Sequence, residues 1–176
     1  MPFRIDHVVV ASDDLDAAIV NARHAGFTVV PGGVHGSGNT QNALIGLADG
    51  AYLELFAPTP DGRLAEHRWF GRIRKGGGLV DFCLLTSGLA AEIVRIRESG
   101  IEYSQPFAMT RLAPSGTRIE WLLSTPPGVA GQNGWPFMIE DKTSRAIRAP
   151  HVPDQVEHPN GSKGVAGITV LGARRT

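Results

Sequence analysis

Residues 5–12, Ile-Asp-His-Val-Val-Val-Ala-Ser, recur about 75 positions later as residues 80–87, Val-Asp-Phe-Cys-Leu-Leu-Thr-Ser. With one residue deleted, the match runs on from Leu15-Asp-Ala-Ala-Ile-Val-Asn-Ala-Arg-His-Ala-Gly to Leu89-Ala-Ala-Glu-Ile-Val-Arg-Ile-Arg-Glu-Ser-Gly. The chain is thus two copies of one plan, and in this alignment His7 stands where the second copy has Phe82. Each copy opens with a short β-branched run that reads as a strand, Phe3 to Ala11 and Leu79 to Thr86. A helix follows. Ser12-Asp-Asp supplies a cap and an acidic first turn, and Leu15, Ala18, Ile19 and Ala22 recur at helical spacing before Gly26 ends the pattern.

The rest of the first copy reads as extended Phe27 to Val30, a Gly-rich loop over Pro31 to Thr40, and a strand from Ala43 to Leu47. Asp49-Gly50 then turns the chain into a strand from Ala51 to Ala57. The second copy continues through extended Ile101 to Phe107, strand Thr117 to Ser124 and strand Pro136 to Glu140. The expected fold class is α+β, two βαβββ modules at 1–58 and 78–142. Residues 59–77 form a linker with one short helix, and 143–176 form a tail. Within the tail, Val165-Ala-Gly-Ile-Thr-Val-Leu-Gly resembles the start of a third copy. A lone strand must pair with something, so this one predicts an extra strand on an edge of its own sheet or in a homodimer.

Period-two alternation puts Ile5, His7 and Val9 on one face of the first strand and Tyr52, Glu54 and Phe56 on one face of the fourth. Helices on the wholly apolar faces would leave His7 and Glu54 lining the opposite, concave side. Glu140 ends the second copy's last strand as Glu54 sits in the first. The pairing of the two modules therefore predicts one cavity bearing His7, Phe82, Glu54 and Glu140.

Composition narrows the partners. The 176 residues are 42% hydrophobic and carry seventeen basic and seventeen acidic side chains. No net field recommends nucleic acid or an anionic membrane, so the expected partner is a small molecule. No stretch approaches a membrane span and no signal peptide is evident, which predicts a cytoplasmic protein. The single cysteine, Cys83, lies in an apolar run and reads as a buried structural thiol.

The pattern resembles the vicinal oxygen chelate superfamily, which includes glyoxalase I, bleomycin-resistance proteins and extradiol dioxygenases, and within it the glyoxalase-like domain. The resemblance rests on Ile5-Asp-His-Val-Val-Val-Ala, Pro31-Gly-Gly-Val-His, Asn42-Ala-Leu-Ile, Gly50-Ala-Tyr-Leu-Glu-Leu-Phe and His158-Pro-Asn-Gly, and it covers nearly the whole chain. It implies two modules paired into a cupped mixed sheet with helices on the outside. It also implies metal ligands on the first and fourth strands: His7, Glu54 and Glu140, with Phe82 in place of a missing fourth.

Such a set would suit a divalent ion such as Mn, Fe(II), Ni, Mg or Zn, holding oxygens of a substrate in lyase, isomerase or dioxygenase chemistry. Without metal, His7 and Glu54 form an acid/base dyad, or the cup is a binding protein of the bleomycin-resistance type. Phe82, Tyr52, Phe56 and Trp121 are the expected ligand walls. His35 is a candidate ligand contact on a lid. Its loop lacks the spacing of a phosphate-binding loop.

Overall fold

The structure is a computed structural model that describes residues 3–63, 65, 67–128 and 134–170. The first module comprises β1 (Arg4–Ala11), α1 (Leu15–His24), β2 (Val30–His35), β3 (Thr40–Gly46) and β4 (Tyr52–Pro58). The linker holds α2 (Phe70–Ile73). The second module comprises β5 (Gly78–Leu85), α3 (Leu89–Glu98), β6 (Phe107–Leu112), β7 (Arg118–Ser124) and β8 (Phe137–Asp141). Two short helices follow, α4 (Arg145–Arg148) and α5 (Pro153–Val156).

The eight strands form one closed mixed sheet in the order β1-β4-β3-β2-β6-β7-β8-β5. Each module repeats the same internal order. β1 runs parallel to β4 and β5 parallel to β8, and the modules meet where β1 pairs antiparallel with β5. The opposite seam is short: Val34 pairs with Leu112 and His35 with Arg111. Residues expected as a loop after Val30 are therefore strand β2, drawn into the ladder by β3 on one side and β6 on the other.

Alternation sorts the side chains into an inside and two outsides. Val10, Ala43, Ile45 and Leu55 pack with Leu15, Ala18, Ile19 and Ala22 of α1, the apolar face read from the sequence. Leu84, Leu122 and Met138 pack with Leu89, Ile93 and Ile96 of α3. The barrel interior holds Val9, Phe56, Trp69, Cys83, Ile119, Trp121, Phe137 and Ile139. Burying apolar surface of this kind on three faces is the main favourable contribution to folding.

One expectation fails here. The strand predicted from Val165 does not form: residues 161–170 have no regular structure, and 171–172 lie outside the described residues. The tail instead straps across the first module. Asn160 N donates to Gly26 O at the end of α1, His158 lies between Thr28 N and Gly46 O, and Val165 N donates to Asp49 Oδ2. Among the described residues no helix is long and apolar enough to cross a membrane.

Candidate functional site

The site begins with an irregularity in β1. The β1/β5 register shifts between Ile5 and His7, so Asp6 is an extra residue in the ladder. A bulge of this kind re-aims a side chain that regular alternation would send to the other face. Asp6 and His7 consequently meet although they are neighbours, with His7 Nδ1 2.6 Å from Asp6 Oδ2.

That contact fixes the imidazole and turns its Nε2 into a cavity of about 200 Å³, where it lies 3.4 Å from Glu54 Oε2. The ring is stacked on Tyr52 at 4.7 Å and met edge-on by Phe137 at 5.3 Å. Burial alone would lower the His7 imidazole, but the hydrogen bonds to Asp6 and Glu54 outweigh it and raise it. Burial likewise opposes the charge on Glu54, yet its bonds to His7 and Asn42 and the neighbouring histidines bring that carboxyl down to about 2.

Around Glu54 the first module supplies further polar groups. Asn42 Nδ2 donates to Glu54 Oε1 at 2.7 Å, and His35 Nε2 stands 3.7 Å from the same oxygen. His35 Nδ1 lies 2.8 Å from Thr40 Oγ1. Burial lowers the His35 imidazole. His35 is thus a buried wall residue rather than a lid contact, since β2 is part of the barrel.

Asp6 is anchored from the tail. Arg148 donates to both of its oxygens, at 2.9 and 3.0 Å, and Arg145 donates to Oδ1. Arg148 also donates to Tyr52 OH at 2.7 Å and to Asp141. Burial would raise the Asp6 carboxyl, but the Arg148 guanidinium and His7 hold it well below the usual carboxylate range. A buried charge in such a network is tolerable because each member is paired.

Among the residues expected to share the cavity, His7, Glu54, Tyr52, Phe56, His35 and Trp121 all line it. Glu140 and Phe82 do not. Cys83, the residue after Phe82, pairs with His7 across the seam and lies in the barrel interior, as does Ile139, the residue before Glu140. Glu140 therefore points to the outer face. Its Oε2 accepts from Leu89 N at 2.8 Å, capping α3 where Gly88 has no side chain to do so, and its Oε1 accepts from Lys142. Phe82 pairs with Val8, and the residue that β5 turns into the barrel is its neighbour Cys83.

Trp69, a core or cavity-wall candidate with Trp121 in the sequence, lines the cavity too, whereas Asn42, His67, Arg68, Arg111 and Arg148 were missed. One signal was present: the aspartates Asp6 and Asp81 recur in the repeat, and both hold arginines, Asp81 binding Arg68 and the Trp69 indole.

A metal site can be tested against these donors. Among the described residues, one group of three brings its ligand atoms within 4.8 Å of one another: Asp6, His7 and Cys83. It does not suit a cation, because Arg145 and Arg148 already occupy Asp6 and burial pushes the Cys83 thiol well up. The better set faces the cavity: His7 Nε2, Glu54 and His35 Nε2. His7 Nε2 and His35 Nε2 stand 3.4 and 3.7 Å from the two oxygens of Glu54, although the three do not all fall within 4.8 Å of one another. Each is already oriented from behind, by Asp6, Asn42 and Thr40 respectively, as metal ligands are.

The comparisons with known proteins agree with this architecture. A family model described as a glyoxalase-like domain matches residues 5–176. No curated protein matches the chain. Among solved structures, a hypothetical protein from Staphylococcus aureus superposes with a TM-score of 0.63 at 18% identity over 84% of this chain, which spans 62% of that protein's length. Methylmalonyl-CoA epimerase from Streptomyces coelicolor, in complex with 2-nitronate-propionyl-CoA, gives 0.53 at 26% identity, covering 80% of this chain and 98% of that one. The methylmalonyl-CoA epimerase of Mycobacterium tuberculosis gives 0.54 at 23% identity over 81% of this chain and 91% of that one. The chain belongs to the glyoxalase-like domain family of the vicinal oxygen chelate superfamily.

Proposed function

We propose that the protein is an enzyme acting on a small oxygenated molecule inside this cavity, with His7, Glu54 and His35 as the residues that hold a divalent ion. The observation that carries the reading is that each donor is held by a buried partner, His7 by Asp6, Glu54 by Asn42 and His35 by Thr40. Two imidazoles and one carboxylate leave open positions, which suits Mn, Fe(II) or Ni better than a closed structural zinc site. Bound there, a divalent ion supplies Lewis acidity to adjacent oxygens of a ligand.

The chain's own residues do the rest. Tyr52 and Phe137 clamp the His7 ring, and Asp6 holds its Nδ1 proton so that Nε2 keeps its direction. Phe56 and Trp121 stack and edge against His35, which keeps water from that side of the cavity. Resemblance to an epimerase supports chemistry of the isomerase kind, in which a proton is removed and returned.

A second reading is favoured by the aromatic walls: a metal-free protein that binds an apolar or aromatic molecule in the same cavity. Metal analysis after purification without chelators separates the two. The first reading expects close to one equivalent of divalent ion in the wild type and its loss in His7→Ala and in Glu54→Gln. A metal-free wild type that also fails to take up Mn, Fe(II), Ni or Zn leaves the binding protein.

A further inference from the structure

Three guanidinium groups line the cavity: Arg68, Arg111 and Arg148. Arg68 is paired with Asp81, and Arg148 with Asp6 and Asp141. Arg111 is different. It is 4% exposed, and among the described residues no carboxylate lies within ion-pair distance of it. Its Nη2 donates to Arg148 O at 2.9 Å and its Nη1 makes a long contact of 3.4 Å to Asn42 Oδ1.

A buried charge without a counter-ion costs far more than it returns unless something pairs with it. The fold nevertheless makes room for this one. Gly32 faces Arg111 and Asn42, and a Cβ there would come within 2.7 Å of Arg111 Nη1 and 2.0 Å of Asn42 Oδ1. Arg111 also sits opposite His35 at the seam between the modules, and the Asn42 that it touches binds Glu54. The guanidinium is thus one side chain away from the His7, Glu54 and His35 cluster, and it comes from the other module.

We infer that the molecule this cavity takes is an organic acid, and that Arg111 is the residue that selects it by pairing with its carboxylate. The inference rests on the proposed reading of the cavity as a small-molecule site and adds the class of molecule. Oxygens at one end would lie by Glu54 and the imidazoles, and the carboxylate would occupy the open side of Arg111. The cavity is smaller than the roughly 300–1,000 Å³ of sites for larger ligands, so the acid is a small one.

The test compares acids with their neutral isosteres: mandelate against mandelamide and pyruvate against pyruvamide, titrated by calorimetry into the wild type, Arg111→Gln and Arg111→Lys. At least one acid is expected to bind roughly tenfold tighter than its amide in the wild type, with the difference lost in Arg111→Gln and partly kept in Arg111→Lys. The wild-type comparison decides the matter even if a variant does not fold. Amides binding as well as acids, or no acid binding at all, would overturn the inference. Each titration is run on chelator-treated protein as well as on protein loaded with Mn. A preference that survives chelation belongs to Arg111 whether or not the metal reading holds, and one that appears only with the ion present overturns the assignment to Arg111.

Discussion

Asp6 and His7 are adjacent in the chain, and their side chains nevertheless hydrogen-bond at 2.6 Å because the ladder between β1 and β5 shifts at Asp6. This one irregularity ties the tail to the cavity. Arg145 and Arg148, on α4 after the second module, close on Asp6, and Asp6 in turn aims His7.

Replacing Asp6 with Asn should therefore cost stability as well as function. Two guanidinium groups would be left with a neutral partner in a buried setting, a loss of about 3–5 kcal/mol when one member of such a network is removed. Urea denaturation of Asp6→Asn against the wild type measures it. A change under about 0.5 kcal/mol, the range of ordinary surface substitutions, would mean the network is not structural.

Gly32→Ala tests the packing behind Glu54. The new methyl would collide with Asn42 Oδ1 and Asn42 O as well as with Arg111 Nη1, at 2.0, 2.7 and 2.7 Å. Overpacking of this kind costs about 1–3 kcal/mol. The same displacement moves the amide that donates to Glu54, so a fall in thermal stability should be accompanied by weaker ligand or ion binding. A variant that binds and melts like the wild type would show that the cradle is not needed.

Glu140→Gln should separate the two carboxylates that the sequence makes look equivalent. Glu140 caps α3 through Leu89 N and is outside the cavity, so its loss is expected to cost about 1 kcal/mol of stability and leave binding unchanged. Glu54→Gln should do the reverse in emphasis, removing binding. Equal loss of binding in both variants would contradict the placement.

The fold was legible in the sequence because its signals are local and repeated. Leu15, Ala18, Ile19 and Ala22 face a core, and Tyr52, Glu54 and Phe56 share a face, as period alone requires. What the repeat concealed is phase. The ladder between β1 and β5 shifts twice, and within it Cys83, not Phe82, pairs with His7 and lies inside, as Ile139 does rather than Glu140. A bulge depends on pairing between strands far apart in sequence, and nothing in either strand alone announces it. Asn42, Arg111 and Arg148 were illegible for the same reason, since their roles arise where β3, β6 and α4 converge.

Acid should weaken the protein through His67. Burial, with the nearby His35 and Arg68 charges, lowers this imidazole from 6.5 to about 4. Between those values the unfolded chain binds the proton and the folded one does not, so this residue's contribution to stability falls as pH drops from about 6.5 to about 4 and is flat below. His35, also lowered, acts in the same direction. His7 acts oppositely, its raised value adding stability that is present below 6.5 and lost as pH rises through its folded value. Melting temperatures across pH 4–7 should therefore show a shallower acid limb in His67→Gln than in the wild type. Parallel limbs would remove His67 from the account.

The central claim is that the first module alone furnishes the ion site, through His7, Glu54 and His35. Calorimetric titration of Mn into wild type, His35→Ala and Glu140→Gln tests it most directly. One site is expected in the wild type and in Glu140→Gln, and an affinity at least about tenfold lower in His35→Ala, the scale on which even outer partners of metal ligands matter. Unchanged affinity in His35→Ala, or its loss in Glu140→Gln, would contradict the account.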